Sequence, residues 1–341
     1  MMRFLVTIPL LTLIACSGGG DDDPKTDTDG VTDTDGDDAD DDTAGDDDDD
    51  DCGNGVAEMV PESGATDAFY RTDIVAVLDE ADAAASIAVS GGVTGTTSID
   101  GTVVYFTPDA PLTNGTSYTA TLTYECGEEA WDFTVGDVGG ATDEGSLPGN
   151  TYSLDLASGT WIKPAGVGDL IGGLIGDVEV LFGVISVDAK GGTIPMIGAL
   201  GDGNGNQDVC VPTLDFPVAP TWDNPYWEVV TPTLDITVDS FTISVSDVTL
   251  GGAFTADGSA IEGGVLKGSI DTRPLVDAVA EGGSDGAVCG LVTSLASGVE
   301  CVACGDGQPY CLEVWVSDID ANLVPGTTIE EIVTVTDPSC K

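Results

Sequence analysis

Histidine is absent from the 341 residues, and Lys and Arg together number 8 against 61 Asp and Glu. The missing imidazole removes every Ser-His-Asp or Cys-His catalytic set and every histidine-ligated metal centre. The scarcity of cations excludes a nucleic-acid-binding surface, which needs a basic stripe to meet a polyanion. It also argues against docking on anionic headgroups. Long hydrophobic runs are missing as well. Residues 4–15 form a mostly apolar stretch of twelve, whereas a membrane-spanning helix needs about 20. What is present is acid and glycine. The formal charge is −53, and 18 of the acids are Asp in residues 21–51. Residues 52–341 still hold 43 acids against 6 bases, a load best tolerated in salty water or beside bound cations. The 47 glycines favour turn-rich β structure over helices.

The amino terminus reads as an address. Met1, Met2 and Arg3 make a short positive head before the apolar run, the layout of a secretory signal. The run ends in Leu13-Ile14-Ala15-Cys16, which resembles the bacterial lipobox. That resemblance implies cleavage after residue 15 and acyl chains on Cys16, with several chains giving firm membrane anchoring. In lipoproteins of diderm bacteria, a residue other than Asp after the cysteine permits transfer to the outer membrane, and Ser17 stands there. Residues 16–51 are the tether. Beyond Cys16 they are mainly Asp, Gly, Thr and Ser, too polar and too uniformly charged to fold. Self-repulsion extends such a chain, to at most roughly 120 Å. Asp27-Thr28-Asp29-Gly30 and Asp33-Thr34-Asp35-Gly36 look like halves of calcium loops but lack the closing Glu, and a solvated linker is the plainer reading.

Residues 52–137 show short strands between turn signals: Ile74-Val75-Ala76-Val77-Leu78, a hairpin around Asp100-Gly101, an alternating stretch from Tyr118 to Tyr124, and Trp131-Asp132-Phe133-Thr134-Val135. About seven strands in this length predict a β-sandwich. Val60-Pro61-Glu62-Ser63-Gly64-Ala65-Thr66-Asp67 resembles the opening of bacterial Ig-like domains of the S-layer SbsA type. Phe106-Thr107-Pro108, followed by Leu112, Gly115, Thr116 and Tyr118, fits the same pattern, and Tyr118 falls where a tyrosine corner would sit. The resemblance implies a spacer or surface module without catalytic residues. With Cys52 before the first strand and Cys126 at the end of the penultimate one, an Ig-like sandwich brings both to one end and implies a Cys52–Cys126 disulfide.

A Gly-rich joint at 138–150 leads to residues 151–341, which match no family in their motifs. Tyr152, Leu154 and Leu156 alternate with polar residues, and residues 178–187 are apolar on both faces, as a covered strand would be. Leu234, Ile236 and Val238 are out of phase with Phe241, Ile243 and Val245, and the phase shifts again at Val248 and Leu250. Asp-Ser is a poor two-residue hairpin turn, so bulged or bent strands are expected at Asp239-Ser240 and Ser246-Asp247. Asp257-Gly258 is a true hairpin signal. Helices are expected after Pro274 up to Gly282, from Asp285 to Gly298, and over 167–176. The expected fold is mostly β: the Ig-like sandwich followed by a larger curved antiparallel barrel or sandwich with a small helical insertion.

Cys210, Cys289, Cys301, Cys304, Cys311 and Cys340 allow 15 pairings. A zinc site or a thioredoxin-like pair at Cys301 and Cys304 is the alternative, but an exported chain favours structural disulfides. Asp202, Asn204, Asn206 and Asp208 place oxygens at alternate positions and are the candidate calcium loop, with a hydrophilic turn as the plainer reading. Trp222, Tyr226 and Trp227 sit beside Asp223 and Asn224, a composition suited to sugars or cationic ligands, with the plugged end of a barrel as the plainer reading. Arg273 is read as an ion-pair partner. Together these features point to a lipid-anchored envelope protein of the outer membrane that faces the cell surface and acts as a binding or spacer module. A periplasmic face stays open. Its partners would be the membrane, through the acyl chains, and a glycan, cell-wall or protein ligand. Two other readings also stay open: a carrier of an apolar ligand, and a glycan hydrolase built on a carboxylate pair.

Overall fold

The computed structural model describes residues 52–156, 158–166, 179–238, 241–276, 282–295, 299–335 and 340. The signal segment, Cys16, the tether and the helix expected at 167–176 lie outside the described residues. Seven strands come first: β1 (Val56–Val60), β2 (Ile74–Leu78), β3 (Ser86–Val89), β4 (Gly95–Asp100), β5 (Val103–Pro108), β6 (Ser117–Tyr124) and β7 (Gly127–Thr134). They form an antiparallel sheet in the order β1-β2-β5-β4 and a second in the order β3-β6-β7. Ile74, Ala76, Leu78, Val104 and Phe106 face Leu122, Trp131 and Phe133 across the sandwich. The Thr113 amide donates to the Tyr118 hydroxyl at 3.1 Å, a tyrosine corner. Cys52 and Cys126 are disulfide-bonded, their Cα atoms 5.5 Å apart.

The rest of the chain adds β8 (Thr151–Asp155), β9 (Thr160–Lys163), β10 (Val180–Val184), β11 (Met196–Leu200), β12 (Leu214–Asp215), β13 (Thr221–Asp223), β14 (Tyr226–Val238), β15 (Phe241–Phe254), β16 (Ala260–Asp271) and β17 (Cys311–Leu323). These make one ten-stranded antiparallel sheet, with β9 pairing separately to β17. The sheet curls into a half-barrel. Its far edge returns toward β11: the Trp222 amide donates to Gly192 O at 2.8 Å and the Ile194 amide to Pro220 O at 3.0 Å. The concave side is filled by Tyr152, Phe182, Trp222, Trp227, Val248 and Phe254.

The long strands show where curvature enters. Ser246 pairs with Ser269 and Thr249 with Lys267, so Asp247 and Val248 oppose Gly268 alone. Asp247 has φ 53°. This is a bulge where one is expected, and an extra unpaired residue increases the local twist. Residues 239–240 lie outside the described residues, but the strands on either side pair antiparallel, Val238 with Phe241, in place of the single bent strand expected. Two strands of 13 and 14 residues gain a long ladder by pairing with each other, and this outweighs an unfavoured turn sequence. Asp257-Gly258 does form a hairpin turn, with Gly258 at φ 69°. Pro274 lies in a 3₁₀ turn, Arg273–Leu275; most of the helix expected after it, residues 277–281, lies outside the described residues, and the helix α1 covers Ala287–Leu295. Among the described residues no helix is long and apolar enough to cross a membrane.

The Ig-like module does not stand apart from the half-barrel, and residues Cys52–Cys340 form one compact unit. Every residue of β2 is buried. Its even-numbered side chains fill the sandwich, while Val75 and Val77 join Val60 and Val103 against Ile162 and Trp315 of the large sheet. Three layers of sheet are therefore stacked. The Gly-rich joint is pinned to them. Leu147 is fully buried, the Thr142 amide donates to Asn224 Oδ1 at 2.8 Å, and the Thr142 hydroxyl donates to Thr255 O at 3.0 Å.

Candidate functional site

The seam between the sandwich and the half-barrel opens into a cleft of about 260 Å³. The Ig-like side contributes Phe69, Arg71, Thr72, Asp73 and Thr107. The sheet contributes Tyr226 and Glu228 from β14, Val265 and Lys267 from β16, and Trp315, Ser317 and Asp318 from β17. Two of the six basic residues of 52–341 are here, each over an aromatic ring. The Arg71 guanidinium lies 4.5 Å from the Tyr226 ring centre, and Lys267 Nζ lies 3.8 Å from that of Trp315. Each cation also crosses the seam to a carboxylate. Arg71 pairs with Asp223, and Lys267 Nζ is 2.6 Å from Asp73. Farther along the seam Lys163 pairs with Asp100 and, at 3.0 Å, with Glu313. A long side chain packed over a ring and capped by a carboxylate holds two layers together by burial and charge at once.

Local register places the acid at the far end of the cleft. Gly264 pairs with Ile319 and Leu266 with Val316, so Ser317 and Asp318 oppose Val265 alone. This bulge changes the phase of β17. Trp315 and Ser317 line the cleft, and so does the next residue, Asp318, at φ 54°, while Ile319 and Ala321 return to the core. A two-for-one bulge re-aims side chains in this way. The Ser317 side chain is buried, with 9% of the residue exposed. Its hydroxyl has no hydrogen-bond partner, and neither does Arg71 Nε. Burial, and then the charges of Asp320, Asp67 and Glu62, push the Asp318 carboxyl up to about 6. Burial, followed by Asp155 and Asp67, raises Asp320. Burial, followed by Asp320, Asp257 and Asp67, raises Glu262. Tyr226 donates to Glu228 Oε2 at 2.8 Å, and its phenol is raised by burial first and by that bond second.

The residues expected from sequence are placed elsewhere, with one exception. Trp222 and Trp227 are buried inside the half-barrel, and Trp222 Nε1 donates to Glu144 Oε1 at 3.0 Å. Alternation along β14 turns Tyr226 to the opposite face, into the cleft. In the loop around Asp202, Asn204, Asn206 and Asp208 the oxygens serve the backbone. Asp202 Oδ1 accepts from the amides of Asn204 (2.8 Å) and Asn206 (3.2 Å), and Asp208 Oδ1 accepts from the Cys210 amide (2.8 Å). These bonds, the Asn204 amide first, hold the Asp202 carboxyl below its usual range. Among the described residues no three Asp, Glu or Cys side chains are grouped to hold a metal ion. The six later cysteines pair as Cys210–Cys340, Cys289–Cys301 and Cys304–Cys311, so Cys301 and Cys304 are not joined to each other. Arg273 is held between Asp271 and Asp306, both at 2.6 Å.

Arg71, Lys267, Ser317, Asp318 and Glu228 were not singled out by the sequence. One signal was present: Val314 and Val316 are followed in the core by Ile319 and Ala321, a break in alternation that marks the bulge.

No curated protein is a significant match to this chain. Among solved structures, L,D-transpeptidase 1 of Mycobacterium tuberculosis is 11% identical, with 57% of this chain and 75% of that one covered at a TM-score of 0.22. An LD transpeptidase in complex with imipenem gives 11% identity, 44% and 77% coverage, and a TM-score of 0.21. An uncharacterized protein of Listeria monocytogenes EGD-e gives 14% identity, 63% and 21% coverage, and a TM-score of 0.12. These overlaps are too slight to define a shared fold. The sandwich itself is placed by sequence: residues 53–134 match the family model described as a bacterial Ig-like domain.

Proposed function

We propose that this chain is an exported, lipid-anchored protein of the bacterial envelope whose folded part, residues 52–340, is one rigid binding module held off the outer membrane by an acidic tether. The carrying observation is that all eight cysteines of the folded part are paired in four disulfides, the state that an oxidising compartment maintains. The bacterial Ig-like match at 53–134 supports the same reading, since such domains occur in surface proteins. The Leu13-Ile14-Ala15-Cys16 motif supports acylation, and Ser17 supports outer-membrane delivery. The rigidity of the module comes from the seam: apolar side chains and three cross-seam cations leave little freedom between sandwich and half-barrel.

The test is labelling of cells with an alkyne fatty acid, followed by treatment of intact cells with a protease too large to cross the outer membrane. The label should attach to the wild type and be lost in Cys16→Ser, and the protease should remove the folded part while a periplasmic control survives. Label retained in Cys16→Ser would overturn the anchor. Full protection of the folded part would overturn the surface position.

A further inference from the structure

The folded part has few cations, and the structure commits both of those in the cleft. Arg71 is paired with Asp223 and Lys267 with Asp73. Asp318 lines the same cleft with no cation and no hydrogen-bond donor among the described residues. The charged groups facing it, Asp320 on its own strand and Asp67 and Glu62 from the Ig-like side, are all acids. Beside it the hydroxyl of Ser317, on a residue only 9% exposed, is also without a partner. A buried hydroxyl and a shielded carboxylate left unmatched side by side are costly unless something from outside completes them.

The cleft's size and walls narrow the class. About 260 Å³ lies just below the range of drug-sized sites, so the ligand is small. Phe69, Tyr226 and Trp315 offer carbon surface that a hydrated divalent ion cannot use. Such an ion would need six or more oxygens, and among the described residues no three acids are grouped closely enough to hold one. An anion would meet cations that are already neutralised. We infer that this cleft binds a small organic ligand through a primary ammonium group, held by the Asp318 carboxylate and the Ser317 hydroxyl, with its carbon chain against the aromatic walls. The ammonium donates to both oxygens and supplies the counter-charge that the chain lacks.

The inference concerns binding in solution and does not depend on where the cell places the protein, so its failure is separate from that of the anchoring proposal. The test is calorimetric titration of the full-length protein with n-butylamine at pH 7.5, with n-butanol and calcium chloride as comparison probes. Saturable binding is expected for the amine alone. Asp318→Asn should weaken it at least tenfold and Ser317→Ala several-fold, while Asp132→Asn, away from the cleft, leaves it unchanged. Lowering the pH from 7.5 to 5 should weaken binding about tenfold, as a carboxyl near 6 takes up its proton. The inference is overturned by no saturable heat with the amine, by equal binding of n-butanol, by indifference to Asp318→Asn, or by calcium displacing the amine.

Discussion

Asp318 is where a single residue meets opposed demands. Its carboxyl is drawn inward by the bulge at Ser317 and is surrounded by acids. With the group raised to about 6 and an unfolded value near 3.9, the folded state binds more protons than the unfolded chain between those values. Stability therefore falls as pH rises through this window, and the penalty is complete above about 6. Its size is of the order of 3 kcal/mol. Asp318→Asn should melt about 4–8 °C higher than wild type at pH 8, and the two should converge at pH 4. Equal melting temperatures at pH 8 would mean that the carboxylate is not shielded. This prediction and the amine titration pull in opposite directions at one residue: the variant that gains stability should lose the ligand. That trade-off is expected of a binding site.

At the scale of elements, the seam depends on what β2, β16 and β17 present outward. The apolar outer face of β2 packs on Ile162 and Trp315, and full burial of each such side chain stabilises by roughly 1.5–3 kcal/mol. β16 contributes by what it omits. Gly263 has φ 60°, and a Cβ there would come within 2.1 Å of the Phe69 ring. Only glycine permits both the backbone turn and the close approach of the Ig-like module. Gly263→Ala should cost about 2–4 kcal/mol in guanidinium unfolding, from backbone strain and overpacking together. Gly307, also at positive φ (80°) but with nothing within 4 Å, is the control and should cost clearly less on the same change. Comparable losses at both positions would show that the contact with Phe69 contributes nothing.

For the whole molecule, the question is whether two modules behave as one. Shared apolar clusters, three cation pairs across the seam and a pinned joint predict a single cooperative transition for residues 52–340. Scanning calorimetry should give one peak with equal calorimetric and van't Hoff enthalpies, and two separable peaks would refute the coupling. The Cys210–Cys340 disulfide closes a 130-residue separation, worth roughly 4–5 kcal/mol in the chain-entropy account. Reduction should therefore lower that one transition as a whole. A stalk carrying a separate head would respond in parts.

Much of this was legible in the residues. The abundance of glycine and the spacing of the turn signals determined a β-rich fold. The Ig-like segment was readable from Val60-Pro61-Glu62-Ser63-Gly64 and Tyr118, because a sandwich is built from local alternation and short turns. The five apolar residues of β2 already demanded cover on both faces, although nothing in them named the covering surface. The cleft was decided by tertiary structure alone. Arg71, Lys267 and Asp318 lie up to hundreds of positions apart in sequence and carry no motif. Their meaning comes from which carboxylate each cation reaches across the seam, and from a one-residue bulge that turns Ser317 and Asp318 to the same side. The chain reversal between β14 and β15 has the same origin: a local turn preference of a fraction of a kcal/mol yields to a long strand ladder.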